Sequence, residues 1–170
     1  MPPVLQAARG DITRETTDAI VNAANTALAR GGGVCGAIFA AAGPGLAEAC
    51  EAVGGCPTGD ARITPGFALP ARWIVHAVGP VWHGGDRGEP ELLASAYRRA
   101  LEVAGEAGAR SIAFPAISTG IFGYPLEPAT EIAVRTARTT PVDGLELVRF
   151  VCFDQATLDA YEHALRSEPR

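Results

Sequence analysis

Val21-Asn22-Ala23-Ala24-Asn25 and, shortly after it, Gly31-Gly32-Gly33-Val34-Cys35-Gly36-Ala37 form the stretch of sequence that decides the fold. A second stretch of the same character is Ser118-Thr119-Gly120-Ile121-Phe122-Gly123. Each is a glycine-rich turn between an apolar, strand-like run and a helix-like segment. Such turns let backbone N–H groups point together at a helix N-terminus and bind phosphate. Two of them, with a pair of asparagines, predict a diphosphate held from both sides.

The chain alternates short apolar or β-branched runs with amphipathic stretches, which is typical of a layered α/β fold. The predicted strands are residues 4–8, 19–22, 61–65, 73–78, 111–115 and 147–152. The predicted helices are residues 37–52, 89–107, 127–137 and 155–165, with Gly108 ending the second and Asp154 capping the last. Ligands of open α/β sheets bind beyond the carboxyl ends of the strands. The segments after Asn22, Pro115 and Cys152 should therefore gather at one rim.

Composition narrows the class of protein. With 170 residues, 48% hydrophobic and 19% charged, the chain is expected to fold as one globular domain. A net charge of -5 and the lack of any lysine disfavour nucleic acid as the main partner. Four cysteines without CxxC spacing and three histidines predict neither a metal site nor a cofactor. No apolar run approaches the roughly 20 residues that span a bilayer, so we expect a cytoplasmic protein that does not enter membranes.

Several polar and aromatic residues near the predicted rim have two interpretations each. Asp11 either caps a turn or accepts hydrogen bonds from an exocyclic amine. Asn22 and Asn25 either shape a turn or bind ribose hydroxyls and water, since an amide both donates and accepts. Phe122 and Phe153 either belong to the core or stack on a sugar or base.

The three histidines and the longest glycine-rich loop suggest no strong catalytic group. His76 lies within an apolar strand, where a satisfied core histidine is the better interpretation. The loop of residues 79–88 is expected to be the most mobile segment. His83 and Asp86 within it either supply a substitute base or are simply solvated, and solvation is the better interpretation.

Taken together, the motifs resemble those of the macrodomain family, and specifically of the MacroD-type branch that hydrolyses ADP-ribosyl modifications. The matching segments run in order along nearly the whole chain: Gly10–Thr13, Asp18–Asn25, Gly31–Val34, Ala41–Pro44, Cys56–Ala61, Ile74–Pro80 and Phe114–Gly123. The resemblance implies one domain over residues 1–170, built as a three-layer α/β/α sandwich with a mixed central sheet. It also implies a cleft for ADP-ribose across one rim.

The resemblance assigns roles to individual positions. Asp11 corresponds to the carboxylate that reads the adenine amine, with the Ile12 backbone beside it, and Phe153 to a residue packed against adenine. Asn25 corresponds to the asparagine that contacts the distal ribose. The two phosphate loops correspond to Gly32, Gly33 and Val34, and to Ser118, Gly120, Ile121 and Phe122, whose ring lies against the distal ribose.

Cys35 departs from the family pattern. MacroD-type hydrolases usually have an aspartate there, assigned to the attacking water, and a histidine near the position of Phe39. Three interpretations of Cys35 compete. It is a small apolar residue in a domain that only binds ADP-ribose, or a thiolate nucleophile at a helix N-terminus, or a bystander to chemistry that survives without the aspartate. The nucleophile is disfavoured because no histidine is near and a bound diphosphate would oppose a thiolate.

The nature of the leaving group favours the third interpretation, in which hydrolysis proceeds without the aspartate. An ADP-ribosyl ester of glutamate or aspartate expels a carboxylate whose conjugate acid has a pKa near roughly 4, so little protonation is needed. Water held by Asn25 and a substrate phosphate could then attack the ribose. The sequence therefore predicts a monomeric hydrolase acting on mono-ADP-ribosylated acidic side chains and on O-acetyl-ADP-ribose, and acting weakly on serine linkages. The alternatives are a non-catalytic ADP-ribose reader and, less favoured by charge, an RNA- or polymer-binding macrodomain.

Overall fold

The computed structural model describes residues 2–167, which contain six strands and five α-helices. The strands are β1 (Val4–Arg9), β2 (Ala19–Ala23), β3 (Ala61–Pro65), β4 (Trp73–Ala77), β5 (Ser111–Phe114) and β6 (Leu147–Cys152). The helices are α1 (Gly33–Ala42), α2 (Gly45–Val53), α3 (Glu89–Glu106), α4 (Leu126–Thr139) and α5 (Gln155–Ser167). A short 3-10 helix, Ile12–Arg14, follows β1. Each predicted strand is present within one residue of its predicted ends.

The strands form one mixed sheet in the order β1-β6-β5-β2-β4-β3. All neighbours are parallel except β3, which runs antiparallel to β4 at the edge. Successive side chains of a strand face opposite sides of the sheet. In β2, Val21 therefore belongs to the core beneath α3, α4 and α5, whereas Ile20 belongs to the core beneath α1 and α2. Two cores on opposite faces make the predicted three-layer α/β/α sandwich.

The single helix predicted over residues 37–52 is wrong, because two helices occupy this region. Gly43 ends α1 with a φ of +91°, and its N–H donates to the carbonyl of Phe39 at 3.2 Å. Pro44 follows, and a proline cannot supply the N–H that would continue the helical ladder. α1 and α2 are consequently bent by 115° relative to each other. Among the described helices none alone is long and apolar enough to cross a membrane, and α1 with α2 meets that criterion only as this bent pair.

Two local end signals are confirmed. Gly108 follows α3 with a φ of +86°, the left-handed conformation that glycine adopts without steric cost. Asp154 Oδ1 accepts the backbone N–H of Thr157 at 2.9 Å at the start of α5. Helices α3, α4 and α5 lie within two residues of their predicted ends.

The strand directions determine where the functional loops lie. Since β1, β6, β5, β2 and β4 are mutually parallel, their carboxyl ends share one rim of the sheet. Arg9 at the end of β1 pairs with Cys152 at the end of β6. The segments beginning at Gly10, Ala24, Val78, Pro115 and Phe153 thus leave the sheet on the same side.

Candidate functional site

The first glycine loop leads directly into α1. Gly32 is the N-cap of the helix and Gly33, its first residue, has a φ of +57°, a conformation that favours glycine. No side chain caps this helix end, so its first N–H groups face outward. A Cβ on Gly36 would lie 2.7 Å from the carbonyl oxygen of Gly31, so only glycine allows the loop to fold this closely over the first turn. The result is a helix N-terminus whose N–H groups receive no side-chain cap, the arrangement that commonly binds anions.

Cys35 lies beneath this loop. Its side chain is only 6% exposed. The backbone N–H of Gly31 donates to Sγ at 3.4 Å, and the thiol approaches the carbonyl oxygen of Ala29 at 3.8 Å. The thiol therefore contacts the backbone of the loop and not the open rim. This environment favours a structural Cys35 over a nucleophile.

Asn25 forms hydrogen bonds with the same segment. Its Nδ2 donates to the carbonyl of Ala29 at 3.0 Å, and its Oδ1 accepts the Ala29 N–H at 3.0 Å. An amide carries two donor hydrogens and two acceptor lone pairs, so one of each remains available. Asn25 is only partly buried, and these remaining sites are free for water or a hydroxyl.

Asn22 does not lie at the cleft surface, and the prediction that it binds a ligand does not fit its position. It is 1% exposed, and its Nδ2 lies 3.1 Å from Nδ1 of the buried His76. His76 Nε2 lies 2.9 Å from Thr64 Oγ1, and burial lowers the pKa of His76 to about 4. Asn22 and His76 are paired in register on neighbouring strands, which brings the two side chains together. The interpretation of His76 as a satisfied core histidine is confirmed.

The second glycine loop has a strained shape. Ser118 adopts a φ of +69°, which is uncommon for a residue with a side chain. It is 6% exposed and lies against Gly79, where a Cβ would collide with its Oγ. Among the described residues Ser118 Oγ has no hydrogen-bond partner. The loop closes on itself through Gly123 N–H to the Gly120 carbonyl at 3.0 Å and Tyr124 N–H to the Ser118 carbonyl at 2.9 Å.

The two glycine loops face each other. The side chain of Ile121 is 90% exposed, and its Cδ1 would lie 3.9 Å from a Cβ on Gly32. That distance is ordinary van der Waals contact. The second loop therefore lies beside the first, with Ile121 close to the N-cap of α1, and its role as the opposing wall of a phosphate site stays a prediction.

The remaining predicted binding residues lie after β1 and β6. The hydroxyl and the backbone N–H of Thr13 both donate to Asp11 Oδ1, at 2.7 and 3.0 Å, and these bonds lower the pKa of Asp11. Asp11 thus caps the 3-10 helix, and it remains an exposed, ionised acceptor. Ile12 is buried, so only its backbone faces outward. Phe153 is 73% exposed, which excludes the core interpretation of that ring.

The loop of residues 79–88, which the sequence predicts to be mobile, is bonded to a buried carboxylate at three of its backbone N–H groups. Glu89, the first residue of α3, is 1% exposed and accepts the backbone N–H groups of three loop residues. They are His83 at 2.8 Å, Gly85 at 3.0 Å and Arg87 at 2.7 Å. His83 and Asp86 are exposed, in keeping with the solvated interpretation. Sequence reasoning missed Glu89, although an acidic residue directly after a glycine-rich loop at a helix start is the available signal.

Metal-ligating side chains and a surface groove are the other features that bear on function. Within residues 2–167, no group of three or more His, Cys, Asp or Glu side chains is placed to hold a metal ion. A surface groove of about 440 Å³ lies between α3 and α4, lined by residues such as Glu91, Arg98 and Thr139. It lies away from the glycine loops.

Comparison with known proteins agrees with this geometry. The Macro domain family profile matches residues 21–133, from the end of β2 into α4. The chain belongs to the Macro domain family. A Macro domain-containing protein of Chlorobaculum tepidum is 57% identical over 164 residues, 95% of each chain. The O-acetyl-ADP-ribose deacetylase of Klebsiella pneumoniae is 55% identical over 166 residues, 94% of this chain and 95% of that protein.

Solved macrodomain structures show the same fold. The Oceanobacillus iheyensis macrodomain with ADP is 44% identical, with a TM-score of 0.90 over 96% of this chain and 90% of that one. The Trypanosoma brucei macrodomain in complex with ADP-ribose is 43% identical, with a TM-score of 0.89 over 95% of this chain and 68% of that one. The macrodomain fold predicted from the motifs is confirmed. The roles of individual site residues stay predictions.

Proposed function

We propose that this macrodomain binds ADP-ribose across the carboxyl rim of its sheet and hydrolyses ADP-ribosyl esters. The substrates are mono-ADP-ribose on glutamate or aspartate side chains and O-acetyl-ADP-ribose. The observation that carries the proposal is the approach of Ile121 to Gly32, which places two glycine loops on either side of an uncapped helix N-terminus. The relative named O-acetyl-ADP-ribose deacetylase, 55% identical over nearly the whole chain, supports the class of reaction.

The direction of the ligand follows from the order of the loops. The diphosphate lies between the α1 N-terminus and the loop 118–123, where N–H groups and the helix dipole favour negative charge. Asp11, an exposed acceptor, receives the adenine amine, and the exposed ring of Phe153 stacks on the base. The distal ribose then lies toward Phe122 and Asn25.

The chemistry requires little from the protein. On O-acetyl-ADP-ribose, water attacks the acetyl carbonyl carbon, and the bond from that carbon to the ribose oxygen breaks as the ribose oxygen takes up the water proton. On the glutamate or aspartate ester, water attacks the anomeric carbon of the distal ribose while the bond from that carbon to the ester oxygen breaks. The bonding electrons leave with the carboxylate, and the water proton passes to solvent or a substrate phosphate. A carboxylate leaves without protonation because its conjugate acid has a pKa near about 4. Asn25 orients the water through the amide hydrogen and lone pair that Ala29 does not use.

One observation favours a second candidate, an ADP-ribose reader without turnover. The thiol of Cys35 is buried against Gly31 and Ala29, so the position of the family's usual aspartate holds no exposed base. Loss of a general base commonly costs about 10²–10⁴-fold in rate. A reader would bind ADP-ribose with the same geometry and release nothing.

Turnover on a defined substrate separates the two candidates. Glutamate-linked mono-ADP-ribosylated protein and O-acetyl-ADP-ribose are incubated with wild type, Asn25→Ala, Cys35→Ala and Cys35→Asp, and ADP-ribose affinity is measured by calorimetry. We expect wild type and Cys35→Ala to release product and Asn25→Ala to be slow. If wild type binds ADP-ribose but leaves both esters intact, the reader is correct. If Cys35→Ala binds normally but is inactive, the thiol takes part in the reaction.

A further inference from the structure

The carboxylate of Glu89 organises a loop that the catalytic proposal does not use. Its two oxygens accept three backbone N–H groups from residues 83, 85 and 87, and the side chain is 1% exposed. Burial would raise the pKa of Glu89, but the N–H groups that it accepts from, His83 foremost, lower the pKa to about 2. The Glu89 carboxylate is therefore ionised, and it is the common acceptor of these three N–H groups of the loop 79–88.

This loop touches the second glycine loop directly. The backbone N–H of Trp82 donates to the carbonyl of Phe122 at 2.8 Å. The ring of Trp82 contacts the ring of Tyr124, with centroids 4.6 Å apart. The same ring lies so close to Gly85 that a Cβ there would be 2.7 Å away from it. Trp82 is thus held between the loop that Glu89 organises and the loop that carries Phe122.

We infer that Glu89 is a positioning residue for the distal-ribose end of the site, acting through Trp82 on Phe122. The inference rests on the proposed function for the identity of the ligand, but the contacts that carry it involve the protein alone. Glu89 does not touch the ligand in this scheme. It determines the conformation of the loop whose N–H at Trp82 holds the Phe122 backbone.

A charged acceptor is needed because one group must satisfy several donors at once. Two carboxylate oxygens offer about four acceptor positions, whereas an amide offers one oxygen and adds two donors. Glu89→Gln would leave at least one buried N–H of the loop facing an NH₂ group, a costly arrangement. A carboxylate in the first turn of α3 interacts favourably with the helix dipole wherever it points. Glu91 lies in the same turn but is exposed, so the dipole alone does not make a carboxylate the acceptor of the loop N–H groups.

The test compares Glu89→Gln with Glu91→Gln as the matched control. Hydrogen exchange is followed without ligand, and affinities are measured for ADP-ribose and for AMP, which lacks the distal ribose and the phosphate that carries it. We expect Glu89→Gln to exchange faster at residues 82–88 and 122–124, with α1 unchanged. Its Kd for ADP-ribose should rise about tenfold, the size expected when one buried hydrogen-bond network is broken. Its Kd for AMP should stay within about twofold. Glu91→Gln should behave as wild type in every measurement.

Three results would overturn the inference. They are unchanged exchange at residues 122–124, equal weakening of AMP and ADP-ribose, and faster exchange throughout the molecule. If Glu89→Gln does not accumulate as folded protein, Trp82→Leu tests the part of the link that the ring carries, because it removes the ring contact with Tyr124, which follows the second glycine loop, and leaves the carboxylate bonds and the residue 82 N–H in place. Trp82→Leu should show the same selective loss for ADP-ribose, and equal losses for both ligands would contradict the inference. If wild type binds neither ligand, the proposed function fails, whereas the exchange result still decides whether Glu89 controls the Phe122 loop.

Discussion

Asn25 and Cys35, ten residues apart in the sequence, converge on one backbone atom. Asn25 Nδ2 donates to the carbonyl oxygen of Ala29 at 3.0 Å, and Cys35 Sγ lies 3.8 Å from the same oxygen. Gly31 N–H in turn donates to the Cys35 sulfur. Asn25, the predicted water-binding residue, and Cys35, at the position of the family's usual aspartate, therefore both hold the segment that leads into the first glycine loop.

The first prediction concerns the thiol. Cys35→Ala removes a buried sulfur and its two backbone contacts, so the free energy of unfolding should fall by about 1 kcal/mol. Turnover of the glutamate ester should stay within a fewfold of wild type, because the thiol is not exposed to the substrate. Chemical denaturation and product release measure the two effects. Cys56→Ala, which alters another buried cysteine whose thiol donates to the carbonyl of Pro57, is the matched control. A large loss of turnover at unchanged affinity would show instead that Cys35 reacts.

The second prediction concerns Ile121, which lies beside the proposed phosphate site. Ile121→Ala should weaken ADP-ribose binding about tenfold, because the side chain becomes covered only when ligand fills the space beside Gly32. Stability should not change, since the side chain is 90% exposed in the free protein. Calorimetry and thermal unfolding report the two quantities. Val4→Ala, which alters an exposed aliphatic residue on β1, should change neither. An unaltered Kd for Ile121→Ala would mean that this side chain does not contact the ligand.

The third prediction concerns pH. His76 is neutral in the fold with a pKa of about 4, against 6.5 when unfolded, so the unfolded chain binds an extra proton between these values. Its contribution to stability is complete above about pH 6.5 and is lost as the pH falls toward 4, about 3 kcal/mol in all.

Denaturant unfolding of wild type and His76→Gln across this range measures that contribution. The variant should be less stable at pH 7 and should lose less stability between pH 6.5 and 4. His163→Gln, which alters an exposed histidine on α5, should follow the wild-type curve. Parallel curves for wild type and His76→Gln would contradict a buried neutral histidine.

The fourth prediction concerns the linkage. Glutamate-linked ADP-ribose should be released much faster than serine-linked ADP-ribose, since an alkoxide leaving group needs an acid and Cys35 replaces the family's usual aspartate. Mass spectrometry of matched peptides carrying either modification gives both rates. Free ADP-ribose added as a competitor should inhibit the reaction, which ties any release to this site. Equal rates on the two linkages would show that an acid is present.

Much of the fold could be predicted from local sequence. Alternating apolar runs predicted all six strands, and Gly108 and Asp154 marked helix ends, because periodicity and capping depend on residues that are neighbours in the chain. The helix break at Gly43-Pro44 is also a local signal. The prediction of one helix missed it because that prediction relied on the apolar content of residues 37–52.

The two glycine loops, the strand ends before them and the family motifs were thus determined by the sequence alone. The tertiary structure decided which groups meet. Asn22 faces His76, 54 residues away, because β2 and β4 pair in that register. Ile121 lies beside Gly32, and Glu89 is connected to Phe122 through Trp82, because parallel strands bring distant loops to one rim. Side-chain partners of this kind depend on strand order and register, which no short stretch of residues specifies.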